Sequence, residues 1–494
     1  MGVSTTSTPE YTVSLMSADL YYLPASEALQ RFAAGTLSPV TLMQALLERA
    51  QALHGGTINA TTAIYAESAL ARARESTERY ARGTARPLEG IPVAIKEETS
   101  VAGWPKTIGS WLHDETPTTS HPIVDKLMAA GAIPHLQTTV PEFCVIGQTL
   151  SERYGVTRNP WNTHYTAGGS SGGSGAALAA GLTPLATGSD MAGSTRIPAA
   201  LQGLYGYKPP FGRLASTPGE ELFSFAVEGP LARTFEDLVL MQNVIAGPHP
   251  ASYVGMPYTP LPLHYPARAE ARIALAFTTG SPALCPDIRA NLAAAAEALR
   301  RDGTRVELVE LRWDNAEIAE VLVEAIFGLF FNEYLAEIRE SDLPRTTPYL
   351  RWLLGKYRHK TNSIMKAAAL ATRLHQELET KVWGAGYSAL LCPTVFTTAI
   401  PADLDLTTER TVIIAGVPVD SYLGWVGTPP FNLLSRYPTL AVPTGRAVTG
   451  VPTSMQIVAP PYRDDIAFCV AYHHAQAAQL DLYRSVYPQL DPPT

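Results

Sequence analysis

Cysteine is scarce in this 494-residue chain: Cys144, Cys285, Cys392 and Cys469 stand far apart, and no Cys-x-x-Cys pair occurs. That argues against a disulfide framework and against a thiolate zinc site, and leaves reduced, mostly buried thiols as the expectation. Charge is thin as well. Asp, Glu, Lys and Arg make up 17% of the residues with a net charge of −8, so nothing in the balance suits a nucleic-acid backbone, and no nucleic-acid partner is expected. Long apolar runs are missing too. The nearest, Val321 to Phe331, is broken by Glu324 and falls short of the roughly 20 residues that span a bilayer, so no membrane partner is expected. The opening Met-Gly-Val-Ser-Thr-Thr-Ser-Thr-Pro-Glu has neither the basic nor the apolar segment of a secretory signal, which makes cytoplasmic residence the expectation. His113, His121, His135 and the pair His473-His474 are scattered, without a His-Glu pattern for a metal, so neither metal nor cofactor is expected.

What the chain does have is concentrated between Thr166 and Pro198. Glycines at 168, 169, 172, 173 and 193 remove Cβ where the backbone must turn tightly or lie against a ligand, and serines sit among them. Hydroxyls beside bare backbone N–H groups are what acyl transfer needs, one to attack a carbonyl and the others to hold the oxyanion that develops.

The rest of the chain reads as alternating helices and strands. Ser38-Pro39 opens a helix with Leu42, Met43, Leu46, Leu47 and Ala50 at helical spacing, and a second helix covers Ala66 to Tyr80. Gly90-Ile-Pro-Val-Ala-Ile-Lys96 reads as a buried strand ending on a charge. A helix from Ile123 to Ala130 with a strand near Pro134 to Gln137 follows, then a helix Ser174 to Ala180 and a strand Pro184 to Thr187. A second set of units runs through the strands Arg272 to Phe277, Arg305 to Leu311 and Ser388 to Pro393, and through a long helical region from Ala316 to Leu378. The expected fold is α/β, a large mixed and mostly parallel sheet wrapped by helices. Residues 1–12 are expected as a disordered tail and 13–485 as one domain, followed by a tail at 486–494. Within that domain the expected parts are a helical segment 13–85, a catalytic core 86–250 and a second α/β part 251–485.

Several chemistries compete for the serine-glycine stretch. A phosphate-binding loop needs a lysine after its last glycine, but Ser174 follows Gly173. Gly168-Gly-Ser170-Ser-Gly172 matches a nucleophile elbow in letters, yet Asn159-Pro-Trp-Asn-Thr-His-Tyr is not the buried strand that feeds one. Ser363-Ile-Met-Lys366 has the Ser-x-x-Lys spacing of penicillin-recognising enzymes without their companion motifs. Glycine-rich packing alone leaves a costly loop unexplained.

One reading takes in all the pieces. Gly90-Ile-Pro-Val-Ala-Ile-Lys96, Pro141-Glu-Phe, the serine-glycine stretch, Arg196-Ile-Pro-Ala-Ala, Gly206-Tyr-Lys-Pro, Gly229-Pro-Leu-Ala-Arg, Ala441-Val-Pro-Thr-Gly and Met455-Gln-Ile-Val, in this order, resemble the amidase signature family of serine hydrolases. The resemblance implies Ser194 as nucleophile, Ser170 on a cis peptide as the bridging serine, and Lys96 as the ultimate base. It also implies an oxyanion hole from the backbone N–H groups of Met191, Ala192, Gly193 and Ser194. The implied activity is cofactor-free cleavage of a carboxylic amide C–N bond through an acyl-serine, with esters and aryl carbamates as further substrates, by a monomer or homodimer acting on a small molecule. A glutaminase subunit of an amidotransferase complex, an enzyme whose main activity is on esters or urethanes, and a non-catalytic binding protein are the alternatives. Ala192 replaces a frequent glycine, which a negative φ would tolerate. Glu97-Glu98 replace a frequent Asp-Asn, and both are expected to face away from Lys96, because an inward carboxylate would raise the lysine pKa. Asp190 and Arg196 either pair or bond local backbone. Trp104 to Thr119, Ile326 to Leu374 and Tyr422 to Phe431, with Tyr422, Trp425 and Phe431, are the expected specificity segments.

Overall fold

The computed structural model describes residues 17–266, 271–332, 335–336, 338–358 and 363–490; the expected N-terminal tail and the last four residues lie outside these. An eleven-stranded sheet runs through the molecule. Its strands are β1 (Thr61–Ile64), β2 (Pro92–Lys96), β3 (Ile133–Thr138), β4 (Leu185–Asp190), β5 (Tyr205–Lys208), β6 (Val227–Ala232), β7 (Arg272–Leu275), β8 (Arg305–Leu308), β9 (Ala389–Pro393), β10 (Thr439–Arg446) and β11 (Pro452–Val458). They lie in the order β1-β3-β2-β4-β6-β5-β10-β11-β9-β7-β8.

The sheet is mixed, as the pattern of alternating elements requires, but it is not mostly parallel. Six of the ten neighbouring pairs are antiparallel. The parallel pairs are β2 with β3 and β4, and β7 with β8 and β9. The antiparallel centre comes from β5, β6, β10 and β11, and two of these carry little sequence signal. β5 is the four residues Tyr-Gly-Tyr-Lys, and β6 contains Gly229-Pro230, which reads as a breaker although Gly229 and Pro230 pair with Gly188 and Thr187 of β4.

Alternation along the strands separates the two largest of four hydrophobic clusters among the described residues onto opposite faces. On β9, Leu390 and Cys392 pack with Ile197 and Leu201, whereas Ala389 and Leu391 pack with Leu292, Leu299 and Phe468. The helices Pro286–Arg301 and Asp464–Ala478 cover the second face. At the N-terminal end Ser38 accepts the N–H of Thr41 at 3.0 Å, capping the helix Pro39–Leu53, which buries Leu42, Met43, Leu46 and Leu47. The long helical region divides into Asn315–Ile326, a π-helical turn Phe327–Phe331, a 3-10 segment Glu340–Arg345, and the helices Pro348–Tyr357 and Ser363–Leu378. Pro344 and Pro348 account for two of these breaks. Near the C-terminus the ring centroid of Tyr487 lies 4.4 Å from that of Tyr22.

For the site, the arrangement of β2 and β4 matters most. They are parallel neighbours with Ala94 opposite Ala186, so the C-terminal ends of both strands, Lys96 and Ser189-Asp190, emerge on the same edge. The helix Gly172–Ala179 packs its buried small residues over them and brings the serine loop to that edge.

Candidate active site

Lys96 ends β2 with its side chain fully buried, and its own N–H donates to Thr187 Oγ1 at 2.9 Å. Its Nζ lies 2.7 Å from Ser170 Oγ, 2.7 Å from Ser189 Oγ and 2.7 Å from Glu98 Oε1. Three acceptors for three ammonium protons describe a lysine held charged. Ser189 Oγ in turn donates to Glu98 Oε1 in a short hydrogen bond. Burial alone would lower the Lys96 pKa, but the adjacent Glu98 charge, with Glu228 adding, outweighs it and holds the ammonium above the ordinary lysine value. Glu98 is the mirror case: burial would raise it, and Lys96 with the surrounding hydrogen bonds holds it below the carboxylate range.

This corrects the expectation that both glutamates turn away. Glu97 does so, its Oε1 accepting the N–H of Thr107, and burial pushes it up to about 7. Glu98 turns in because the strand ends in a turn, Thr99 N–H bonding back to Lys96 O at 2.9 Å, which brings residue 98 alongside the lysine. The expected consequence is read by pH. Glu98→Gln removes the larger of the carboxylate charges that hold Lys96 protonated, so burial gains the upper hand and the lysine pKa falls. The acid limb of kcat/KM then moves to lower pH by about one unit or more; a limb that stays in place would show that Glu98 does not set the lysine.

Gly169–Ser170 is a cis peptide. At Gly169 a Cβ would overlap the Gln148 backbone, so only glycine lets the loop lie this close to its neighbour. Ser171 N–H bonds to Ser194 O at 3.2 Å, which ties the two serine segments together. Ser194 is 8% exposed and lines a cavity of about 30 Å³ with Ala192, Ile197, Ile326, Phe327 and Tyr422. A second cavity of about 130 Å³ lies on the lysine side, lined by Glu98 and Ser189, and shares Cys144, Met191 and Phe331 with the first.

The loop from Asp190 to Arg196 is braced by a buried ion pair, the first of the two arrangements left open for these residues. Arg196 Nη2 and Nε lie 2.8 and 2.9 Å from the Asp190 carboxylate, and both side chains are inaccessible. Burial would raise the Asp190 pKa, but the Arg196 charge and hydrogen bonds, with Asn432, hold it below the usual range. Arg196 also donates to Thr428 O, Gln456 Oε1 and Asn432 Oδ1, and Thr428 Oγ1 donates to Ala192 O at 2.6 Å. Arg196→Met leaves the aspartate buried and unpaired, so a loss of about 3–5 kcal/mol in unfolding free energy is expected, measurable by urea titration. A loss below about 1 kcal/mol would mean the pair does not hold the loop.

The same aspartate corrects the expected set of oxyanion donors. Gly193 N–H donates to Asp190 Oδ1 at 2.9 Å and is not free to meet an oxyanion. The N–H groups of Met191, Ala192 and Ser194 have no hydrogen-bond partner among the described residues. Gly193 serves the turn, with φ 121° and Thr428 where a Cβ would stand, and Ala192 is not among the residues of positive φ, so its methyl group is tolerated.

Of the expected specificity segments, Lys106 and Ile108, then Ile326, Phe327, Phe330 and Phe331, and Tyr422 with Leu423 do line the two cavities. Trp425 and Phe431 do not; both are core residues with no exposed surface. Sequence reasoning gave no site role to Ser189, Cys144 or His121, and it turned Glu98 the wrong way. Cys144 follows Phe143 in a turn where both have positive φ, 58° and 52°, and no composition signal marks such a site.

A lysine, a cis-linked serine and a serine-bearing loop meet at one sheet edge, with unpaired N–H groups beside an apolar cavity, and these are groups that acyl transfer can use. Comparison with known proteins gives the family. The Amidase family model matches residues 41–467, and the chain belongs to the amidase signature family. The acylamidase of Rhodococcus erythropolis is 30% identical over 462 residues, 92% of this chain and 95% of that protein. A glutamyl-tRNA(Gln) amidotransferase component from Chloroflexus aggregans is 38% identical, but over 59% of this chain and 61% of its own length. Among solved structures, a bacterial aryl acylamidase of the amidase signature family superposes with a TM-score of 0.84 at 23% identity, covering 93% of this chain and 97% of that one. The protein is an amidase, a hydrolase of amide C–N bonds. No helix of the described residues is long and apolar enough to cross a membrane.

Proposed function

We propose that this enzyme hydrolyses acyl amides through a covalent acyl-Ser194, with Ser170 and Lys96 as its proton relay. The observation that carries the reading is the 2.7 Å contact of Lys96 Nζ with Ser170 Oγ inside a buried site whose other serine opens to a cavity. Ser194 Oγ attacks the amide carbonyl while its proton passes to Ser170 and the Ser170 proton to Lys96. The N–H groups of Met191, Ala192 and Ser194 receive the oxyanion, each contributing about 3 kcal/mol to the barrier. The C–N bond breaks as Ser170 returns a proton to the leaving nitrogen, and water then repeats the sequence on the ester.

Glu98 gives this relay a proton store. Lys96 must be neutral to accept a proton, and the 2.7 Å contact lets its proton move onto Glu98 Oε1 with no change in the net charge of the buried site. The apolar walls from Ile326, Phe327, Tyr422 and Leu423 suit an apolar acyl group at Ser194. Near full-length similarity to an acylamidase supports a free-standing amidase over a glutaminase component, whose similarity is confined to part of the chain.

The test is kcat/KM on a matched series of primary amides, anilides, esters and aryl carbamates of one apolar acid. Amide turnover with stoichiometric fluorophosphonate labelling at Ser194 is the expected result. Labelling with turnover of esters or carbamates alone would move the natural substrate to that class, and amide turnover without labelling would overturn the acyl-serine.

A further inference from the structure

Building on the amidase reading, we infer that the lysine-side cavity ends in a subsite for a hydroxyl or primary carboxamide carried by the amine half of the substrate, held between His121 and Glu228. The cavity has two kinds of wall. Ile108, Phe143, Phe223 and Phe331 are apolar; Glu98 and Ser189 mark its relay end, and His121, Glu220 and Glu228 mark a second polar region.

His121 is 3% exposed and caps the helix Pro122–Ala129, its Nδ1 accepting the N–H of Ile123 at 3.3 Å. With Nδ1 used as acceptor the ring proton sits on Nε2, which therefore presents a donor. Burial would lower the ring's pKa, while Glu220 and Glu228 hold it above the ordinary histidine value; Nε2 carries a proton in the charged ring as well. That donor has no hydrogen-bond partner among the described residues: Glu220 Oε2 at 3.7 Å and Glu228 Oε1 at 3.8 Å are both beyond hydrogen-bond length. Glu228 Oε2, also buried, has none either. Glu228 stands opposite Ser189 across the β4–β6 pair, which fixes it near the relay. A buried donor and a buried acceptor left unmade are costly, and a substrate group that accepts from one and donates to the other relieves both.

The chemistry narrows the group. An alkyl chain does neither, and an ammonium cannot accept from Nε2–H. Lys106, also in the wall, opposes a cation. A hydroxyl or a primary carboxamide offers both a donor and an acceptor. Such a group belongs to the amine half because the acyl half has the cavity beside Ser194, whereas this cavity is bordered by Glu98 and Ser189, two of the three partners of Lys96 Nζ, and so lies on the side of the lysine that supplies the proton for the leaving nitrogen. The volume of about 130 Å³ suits a short chain on the amine.

The experiment compares N-(3-hydroxypropyl), N-butyl and N-(3-ammoniopropyl) amides of one acid, with an N-butyl amide whose hydroxyl sits on the acyl chain as control. The wild type is expected to favour the hydroxypropyl over the butyl amide by about tenfold in kcat/KM, the worth of one to two buried hydrogen bonds. His121→Asn, which keeps an oxygen to cap Ile123 but loses the reach of Nε2, is expected to shrink that ratio to about threefold or less, and Glu228→Met to do the same. Equal turnover of the two amides by the wild type, a ratio kept in both variants, a preference for the ammonium, or a benefit only from the acyl-side hydroxyl would overturn the subsite. Each of these leaves the butyl amide cleaved, so they are distinct from failure of the amidase reading itself, in which no amide turns over.

Discussion

Replacing Ser194 by alanine is expected to lower kcat/KM for every amide by about 10⁴-fold or more, since removing the nucleophile of a coupled relay costs nearly all of its catalysis. Little else should change. The side chain makes no hydrogen bond among the described residues, so unfolding free energy should stay within about 0.5–1 kcal/mol of wild type. Steady-state kinetics and urea titration on the same preparation separate the two effects. Substantial turnover in a well-folded variant would move the nucleophile elsewhere, and Ser170 would be the group to examine.

Lys96→Ala is expected to act twice. It removes the base, lowering amide turnover by about 10³-fold or more. It also strands the Glu98 carboxylate without its cation, at a cost of about 3–5 kcal/mol in stability. The double variant Lys96→Ala, Glu98→Gln separates these: stability should recover by several kcal/mol while activity does not. Ester substrates offer a second check. An alkoxide leaves more readily than an amine and depends less on proton return, so ester turnover should fall less than amide turnover in Lys96→Ala. Equal losses for both would place the lysine at attack alone, and recovery of activity in the double variant would mean that the lysine serves only to neutralise Glu98.

The legible part of this protein was the part written in consecutive residues. Lys96 at the end of an apolar strand, and serines set among glycines, announce themselves because the backbone constraint and the chemistry share one stretch. The structure brings Lys96 and Ser170 together at hydrogen-bond distance and ties the Ser170 and Ser194 segments through backbone. What escaped were residues whose role depends on where a turn sends them. Glu98 reaches Lys96 because the chain doubles back at Thr99, whereas Glu97, its neighbour with the same side chain, serves the Thr107 backbone. Gly193 has the N–H expected of an oxyanion donor, but Asp190 claims it three positions earlier in the chain. His121 looked isolated in sequence; only the packing of Pro122–Ala129 against the helix Phe235–Ile245 and β3 sets it in a cavity wall. The sheet's direction was misread for a similar reason, since Gly229-Pro230 signals an interruption locally and is overruled by pairing with β4.

The hydrogen bonds of Arg196 bear on how the protein is made. Its partners Thr428, Asn432 and Gln456 lie 232, 236 and 260 positions further along the chain. During synthesis, Lys96, Ser170 and Ser194 therefore leave the ribosome long before the residues that brace the nucleophile's loop exist. Contacts of such sequence separation form late, after the intervening chain has paid its loop entropy. The unfinished polypeptide thus carries every group of the proposed relay without the frame that aligns them, and the loop is braced only when the last third of the chain docks.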